Sequence, residues 1–138
     1  MNTKVMLAFV VATMVAGAGT GSGVSARAEE PGAARLLRNY RCMMITEDPS
    51  RGGSGPPSVL ATPRVDAPQL GPASEPTIVD DPLRVVNGYA RVLLLDGRPG
   101  WVRRNRLRNW TVAASPALRC YVERMPDGRL EFGYIHPG

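Results

Sequence analysis

Beyond an apolar N-terminal stretch, the apolar residues of this chain come in short runs separated by turn-forming residues. Runs of large or β-branched residues bounded by glycine, proline and aspartate predict strands. These runs lie at 40–46, 58–61, 77–79, 83–86 and 89–95. With the residues that follow, they predict an all-β fold of about seven or eight short antiparallel strands. Residues 29–38 are polar and predict a loose tail, with at most a short helical turn.

The clearest hairpin signal is Asp96-Gly97, which lies between a strand at Tyr89–Leu95 and a returning strand at Gly100–Val102. Asp-Gly is a preferred centre of a type I′ turn, because both central residues need a positive φ. The next four residues, RRNR at 103–106, are too polar for a core strand and too short for a helix. They predict an exposed tight turn that ends on Leu107.

A second hairpin is predicted around Pro126-Asp127-Gly128, with strands at 119–125 and 130–135. In the returning strand, large apolar residues alternate with polar or small ones, which is typical of a strand with one buried face. Between the two hairpins, 109–112 predicts a further strand or an edge segment.

Several residues of the first hairpin fall into the pattern of bacterial SH3-like domains. That pattern is a glycine-aromatic pair, a valine, the sequence D-G-x-x-G-W-V and a leucine five residues after its valine. The matching residues are Gly88-Tyr89, Val92, Asp96-Gly97, Gly100-Trp101-Val102 and Leu107. The chain therefore resembles this family over residues 88–107, and weakly back to Ser58. The resemblance implies a small SH3-like barrel of short antiparallel strands.

The same segment is similar to the end of eukaryotic SH3 domains, where a proline and a tyrosine form the groove for proline-rich peptides. The matching positions here are Arg103 and Arg106, so the resemblance does not imply that groove. For the bacterial family it implies peptidoglycan or its peptides as the ligand class.

With this resemblance, the chain is predicted to have four parts. Residues 1–28 form a signal peptide, and 29–57 an N-terminal segment with one strand and a flexible loop. Residues 58–110 form the SH3-like barrel core, and 111–138 a C-terminal hairpin extension. A barrel of about 50 residues buries little surface, so additions on both sides would help to stabilise it.

The two cysteines, Cys42 and Cys120, lie one on each side of the predicted barrel core. A secreted chain with two cysteines most often pairs them. The expected Cys42–Cys120 disulfide would tie the two additions together. Buried free thiols and an intermolecular bridge are the alternatives.

The first 28 residues have the features of a secretory signal. Lys4 gives a positive start, Val5–Ala18 is an uncharged apolar run, and Ala26-Arg27-Ala28 offers small residues at both positions that signal peptidase recognises. The run is shorter than the roughly 20 residues of a spanning helix. We expect a periplasmic or secreted protein with no membrane span in its mature form; an uncleaved membrane anchor is the alternative.

Charge and composition narrow the classes of partner. Removing residues 1–28 takes Lys4 and Arg27 from the 17 basic residues and none of the 12 acidic ones, which leaves 15 arginines and a net charge of +3. A charge this small does not indicate nucleic-acid binding. A GC-rich genome is the simpler explanation for the lack of lysine after residue 28, and a functional reason is the alternative.

The residues give poor support for enzyme chemistry. His136 is the sole histidine and lies two residues from the end of the chain, so a cysteine nucleophile would lack a well-placed base. No serine-hydrolase or zinc-protease motif occurs. Metal sites need ligands from several segments, and Asp80-Asp81 is better explained as a solvated turn. We expect a non-catalytic protein without a cofactor or a metal.

Aromatic residues and arginines lie together in and just after the first hairpin. Tyr89 and Trp101 could stack on a ligand, and the arginines could bind carboxylates, for which the planar guanidinium is suited. These arginines are Arg98, Arg103, Arg104 and Arg106. Core packing of the aromatic rings and a solvated rim of arginines are the alternatives.

Two functions remain as hypotheses. The first is a periplasmic or secreted binding module for peptidoglycan or cell-wall peptides. The second is a protein-partner domain, such as an inhibitor or adaptor of an envelope enzyme. In the second case the loops at 47–57 and 63–76 would carry the contacts, because loops commonly carry function.

The signal-peptide hypothesis predicts that the protein isolated from its native envelope begins at Glu29. Intact-mass analysis should find the mass of residues 29–138, because the Ala-Arg-Ala sequence directs cleavage after Ala28. Recovery of the full-length chain from the envelope would instead support the membrane-anchor alternative.

Overall fold

A computed structural model describes residues 33–47 and 55–138 of the chain. Over these residues the protein is all-β, as the sequence predicts, and its only helix is a single 3₁₀ turn at Arg104–Arg106. The strands are β1 (Arg35–Leu36), β2 (Tyr40–Ile45), β3 (Ser58–Leu60), β4 (Gln69–Pro72), β5 (Thr77–Asp80), β6 (Val85–Val86), β7 (Tyr89–Leu93), β8 (Pro99–Arg103), β9 (Leu107–Asn109), β10 (Arg119–Arg124) and β11 (Leu130–Ile135). No helix in this part of the chain is long and apolar enough to cross a membrane.

The strands form two antiparallel sheets. The larger has eight strands in the order β4-β3-β8-β7-β5-β2-β9, with the short β6 paired to β7. The smaller has the order β1-β10-β11. All strand pairs in both sheets are antiparallel. The predicted hairpins are the β7–β8 pair of the large sheet and the β10–β11 pair of the small one.

Strand β2 is an inner strand of the large sheet and not an addition to it. It pairs with β5 from Tyr40 to Met43, and with β9 from Met43 to Ile45. The predicted boundary between 29–57 and 58–110 therefore divides strands that the structure joins in one sheet. The pairing partners lie far away along the chain, so local pattern could not reveal them.

The two faces of the large sheet bury two separate cores, because neighbouring residues of a strand point to opposite faces. In β2, Met43 belongs to the first core and Cys42 to the second. The first core consists of Met43, Val59, Ala73, Val79, Ala90, Val92, Leu94, Val102 and Leu107. The second lies between the two sheets and consists of Cys42, Ile78, Leu93, Val122 and Leu130.

The turn at Asp96-Gly97 differs from the predicted type I′ geometry. Gly97 has a φ of +88°, but Asp96 does not have a positive φ. The Gly97 amide donates to the Leu94 oxygen at 2.8 Å, and the Leu94 amide donates to the Arg98 oxygen at 2.9 Å. This is a three-residue loop with glycine at the left-handed position, a common hairpin alternative. The loop is one residue longer because Leu95 leaves the strand.

The second hairpin uses the same loop. Gly128 has a φ of +87°, its amide donates to the Met125 oxygen, and the Met125 amide donates to the Arg129 oxygen. The two hairpin tips also touch, because the Leu130 amide donates to the Leu95 oxygen at 2.7 Å. This bond joins the small sheet to the tip of the large one.

Three other segments differ from the prediction. The expected loop at 63–76 contains strand β4, which pairs with β3 and covers the fully buried Val59. The expected helical turn near Leu36 is strand β1, which pairs with β10. Beyond β9, residues 110–112 are not in a strand; Trp110 instead stacks on Tyr134 with ring centroids 5.5 Å apart. The predicted signal peptide and most of the predicted loop at 47–57 lie outside the described residues.

The expected disulfide between Cys42 and Cys120 is present. It joins strand β2 of the large sheet to strand β10 of the small sheet, and Cys42 is 6% exposed. The two residues are separated by 78 positions along the chain. The bond therefore crosses the second core and fixes the small sheet on the face of the large one.

Replacing both cysteines with alanine should lower the free energy of unfolding by about 2–5 kcal/mol, because the unfolded chain regains the entropy of a long loop. Urea unfolding of the oxidised parent and of Cys42→Ala/Cys120→Ala measures the difference. Equal unfolding midpoints with equal slopes would show that the second core holds the sheets together without the bond.

Two glycines of the first hairpin should respond differently to substitution. Gly97→Ala should cost about 1–2 kcal/mol because of its positive φ, and Gly97→Asn should cost less, because asparagine tolerates that conformation. At Gly100, a Cβ would overlap Val59 Cγ1 and lie 2.9 Å from the Leu60 oxygen. Gly100→Ala should therefore cost about 1–3 kcal/mol through overpacking.

Thermal unfolding of the three variants separates the two causes. The unfolding temperature of Gly97→Asn should lie between those of Gly97→Ala and the parent. If Gly97→Asn is as unstable as Gly97→Ala, the left-handed backbone is not the reason that glycine is needed there.

Candidate functional site

A pocket of about 230 Å³ lies where the first hairpin, the 3₁₀ turn and the β3–β4 segment meet. The residues that line it are Pro57, Ser58, Leu60, Val65, Gln69, Tyr89, Val102, Arg103 and Arg106. Three of the six residues predicted to bind a ligand are among them, namely Tyr89, Arg103 and Arg106. The structure thus brings together half of the predicted site.

Tyr89 forms part of the pocket wall but is largely a core residue, with 6% of its surface exposed. It is the cross-strand partner of Arg103 in the β7–β8 pair. The guanidinium of Arg103 lies over the tyrosine ring, with its central carbon 5.3 Å from the ring centroid. Such a contact attracts the cation to the face of the ring. For Tyr89 the core-packing alternative is therefore right, and the exposed partner is Arg103.

Arg106 is half-buried, which differs from the expected exposed turn. Its Nε donates to the Thr46 oxygen at 2.8 Å. The main chain of the same two residues is bonded as well, because the Thr46 amide donates to the Arg106 oxygen at 2.7 Å. Arg106 therefore holds the end of β2 against the 3₁₀ turn, in addition to lining the pocket.

Arg104 does not line the pocket. Its Nη1 donates to the Leu107 oxygen at 2.9 Å, across the 3₁₀ turn in which it lies. Arg104 therefore satisfies a backbone acceptor where the turn passes into β9, and its role is structural.

Trp101 lies on strand β8 opposite Arg91 and is half-buried. The guanidinium of Arg84 lies over its ring at 5.8 Å from the centroid. Arg91 in turn forms an ion pair of 3.1 Å with Asp80. Burial lowers the pKa of Arg91, but the hydrogen bonds and charge of Asp80, with help from Tyr40, outweigh it and raise the pKa overall. Trp101 therefore belongs to an arginine-aromatic cluster that does not line the pocket.

Arg98 lies at the tip of the first hairpin, on the rim of a separate cavity of about 360 Å³. Its amide donates to Asp96 Oδ1 at 3.0 Å, and its Nε donates to Asp96 Oδ2 at 2.7 Å. These bonds, first the one from the Arg98 amide, lower the pKa of Asp96. Asp127 and Arg129 repeat the arrangement at the second hairpin. Arg98 thus stabilises its own turn and is not part of the pocket.

The pocket residues that sequence reasoning missed come from the β3–β4 segment. They are Pro57, Ser58, Leu60, Val65 and Gln69, and the one other missed residue is Val102 of β8. Val65 is 76% exposed and is flanked by Arg64 and Asp66, which pair with each other. The one local sign that Val65 lines a site was its position as an apolar residue between two charged residues of a predicted loop. Nothing local indicated that the segment folds over the first hairpin.

The pocket is suited to binding. Its described lining includes two arginines and several apolar residues, and one of the arginines, Arg106, is bonded to the Thr46 oxygen. Within residues 33–47 and 55–138, no group of three or more His, Cys, Asp or Glu could hold a metal ion. The described lining therefore combines positive charge with apolar surface.

Comparison with known proteins returned no match, whether to a protein-family model, to a curated protein or to a solved structure.

The two pocket arginines should differ in their effect on stability. Arg106→Ala should lower the free energy of unfolding by about 1.5–3 kcal/mol, because it removes a charged hydrogen bond to the Thr46 oxygen. Arg103→Ala should cost about 0.5–1 kcal/mol, the usual contribution of an exposed cation–aromatic contact. Urea unfolding measures both.

Arg108→Ala is the matched control, because Arg108 is exposed and does not line the pocket. It should unfold like the parent, since an isolated exposed charge contributes little. If Arg106→Ala and Arg108→Ala have the same free energy of unfolding, the bond to Thr46 does not hold the turn in place.

Proposed function

We propose that this protein is a non-catalytic binding module of the cell envelope, with peptidoglycan or cell-wall peptides as its ligand. The bacterial SH3-like resemblance supplies the ligand class. The observation that carries the proposal is the pocket in which Arg103 and Arg106 flank apolar residues. Cell-wall peptides combine carboxylates with small side chains, and arginine is suited to binding carboxylates.

The fold assigned to the module is an SH3-like barrel. The order β4-β3-β8-β7-β5-β2-β9 supports it. The last of these strands in the chain, β9, follows a 3₁₀ turn and returns to pair with the first, β2. The strands β1, β10 and β11 form an added sheet on one face. The pocket then lies between the β3–β4 segment and the 3₁₀ turn.

The location assigned to the protein is the periplasm or the outside of the cell. The Cys42–Cys120 disulfide is consistent with it, because disulfides persist in oxidising compartments. The apolar N-terminal run and the Ala-Arg-Ala sequence at 26–28 support export.

A protein-partner domain is the second candidate, and one observation favours it. Strand β4 lies at the edge of the large sheet, and Val65 in the loop before it is 76% exposed. Edge strands can pair with a strand of another protein. An inhibitor or adaptor of an envelope enzyme would bind its partner protein through this edge. A cell-wall polymer would not be its ligand.

Retention on purified peptidoglycan sacculi tests the first candidate. The mature protein should sediment with sacculi, and rising salt should release it, because the attraction of Arg103 to carboxylates is screened. Arg103→Ala should reduce retention by about tenfold, which corresponds to the loss of one charge-assisted contact. The bound fraction is measured by densitometry at several sacculus concentrations.

Arg108→Ala removes the same charge away from the pocket and is the control. It should be retained nearly as well as the parent. Equal losses for the two variants would reject the pocket as the site. A parent protein that stays in the supernatant at low salt would reject the cell-wall ligand and leave the protein-partner candidate.

A further inference from the structure

We infer that strand β11 is an interface through which two copies of this chain pair. The small sheets of the two copies meet edge to edge, with the two β11 strands antiparallel, and form one continuous sheet. The inference goes beyond the proposed function and does not depend on the ligand of the pocket. It is carried by the open edge of β11, by the register that this edge allows and by the exposed apolar residues beside it.

Strand β11 leaves an open edge at one side of the small sheet. It pairs with β10 and, among the described residues, with no strand on its other side. It has 6 residues, whereas the other strands that end the two sheets have 2, 3 and 4. Its sequence, LEFGYI, contains no proline or lysine, and its register with β10 is constant. Proline, lysine and bulges protect many edge strands, and an edge without them is a template for another strand.

The free backbone groups of this edge belong to Phe132 and Tyr134. In an antiparallel pair, residues that bond the partner strand alternate with residues whose backbone groups point away from it. The Leu130 amide points away from β10, because it donates to the tip of the first hairpin at 2.7 Å. Val122, which lies opposite Phe132, turns away from β11, because its oxygen accepts from the Leu37 amide at 2.9 Å. Phe132 and Tyr134 therefore point their amides and oxygens to the open edge, where no described group bonds them.

These free groups and the first hairpin set the register of the pair. When Phe132 lies opposite the second copy's Tyr134, each free amide and oxygen of one strand bonds its counterpart on the other. Gly133 then lies opposite the second copy's Gly133, on the symmetry axis. Ile135, the last residue of the strand, lies opposite Glu131, so the second strand ends before it reaches the hairpin tip. A register shifted toward the tip would need an amide that the tip already occupies.

The side chains beside the edge are apolar and exposed. Tyr134 and Ile135 are each 50% exposed, and they lie on opposite faces of β11 because they are neighbours in the strand. In the paired sheet, Tyr134 lies opposite the second copy's Phe132 and beside Trp110, on which it stacks. Aromatic pairs across strands stabilise a sheet. Pairing therefore covers apolar surface that one copy leaves in water.

Sedimentation equilibrium of the mature protein tests the inference. The average mass should rise from that of one copy toward twice that value between about 1 µM and 1 mM. Ile135→Glu should raise the Kd of the dimer about tenfold, because it places like charges directly opposite, once on each side of the symmetry axis. Ile135→Arg should lower the Kd about threefold, since the charges opposite each other then have opposite signs.

Two further variants locate the effect. Val85→Glu is the matched control, because Val85 is 47% exposed and lies in β6 of the large sheet; it should associate like the parent. Glu131→Arg added to Ile135→Glu should bring the Kd back to about that of the parent, because opposite charges again face each other. Thermal unfolding at low concentration confirms that each variant is folded.

Hydrogen exchange gives a readout that does not depend on charge. The amides of Phe132 and Tyr134 are free in one copy and bonded in the pair, so their exchange should slow as the protein concentration rises. Exchange of the Gly133 amide, which points to β10, should change little. NMR spectroscopy at low and high concentration measures all three rates.

The outcomes decide the inference. A mass of one copy at every concentration up to about 1 mM overturns it and leaves the edge to a strand of another protein. A dimer with the same Kd for the parent and Ile135→Glu also overturns it, because another surface then forms the dimer. Equal weakening by Ile135→Glu and Ile135→Arg rejects the register. A dimer that is weakened by Ile135→Glu, restored by Glu131→Arg and unaffected by Val85→Glu supports it.

Discussion

The pairing of strand β2 with β5 on one side and β9 on the other is the constraint on which the rest of the structure depends. It brings residues 40–45 into register with residues 77–80 and 107–109. The 3₁₀ turn directly precedes β9, so its position depends on this pairing. The contacts of Arg106 with Thr46 then extend the pairing beyond the end of the strand. The cationic side of the pocket is therefore set by a segment about 60 residues away.

The same strand also explains why the protein has two cores. Alternate residues of β2 point to opposite faces of the sheet, so Met43 packs in the first core and Cys42 packs in the second core, against the small sheet. Neighbouring strands behave in the same way, with Val79 in the first core and Ile78 in the second. A sheet that is apolar on both faces needs cover on both. The small sheet supplies that cover, and the disulfide keeps it there.

How far the sequence predicts this structure depends on how local each feature is. Both hairpins were located from Asp-Gly pairs, because the positive φ of Gly97 and Gly128 is a local demand. The predicted turn type at Asp96 was wrong, because the length of the loop depends on where the strand pairing stops. The disulfide was predicted because the chain has two cysteines and was expected to be secreted. By contrast, the position of β2 inside the sheet arises from pairing between distant segments, which local periodicity cannot show.

The residues of the candidate site also differ in how far they could be predicted from local sequence. Tyr89, Arg103 and Arg106 come from one contiguous segment, and the sequence could nominate them together. Most of the apolar wall comes from residues 57–65, where a strand was predicted at 58–61 and a loop from 63 onward, and Leu60 reaches the site through its pairing with Trp101. Arg98 and Arg104 were nominated for their charge alone, but each binds an acceptor in its own turn. Charge in a sequence does not tell whether its partner is a ligand or the protein itself.

The position of the disulfide has a mechanical consequence for the pocket. Every residue that lines the pocket lies between positions 57 and 106, inside the covalent loop closed by Cys42 and Cys120. Tension applied to the two ends of the chain is carried from one cysteine to the other through the sulfur atoms. The segments that build the pocket are bypassed, and the polypeptide between the cysteines cannot be pulled straight while the bond is intact. A pull on the two ends of the chain would thus leave the pocket assembled.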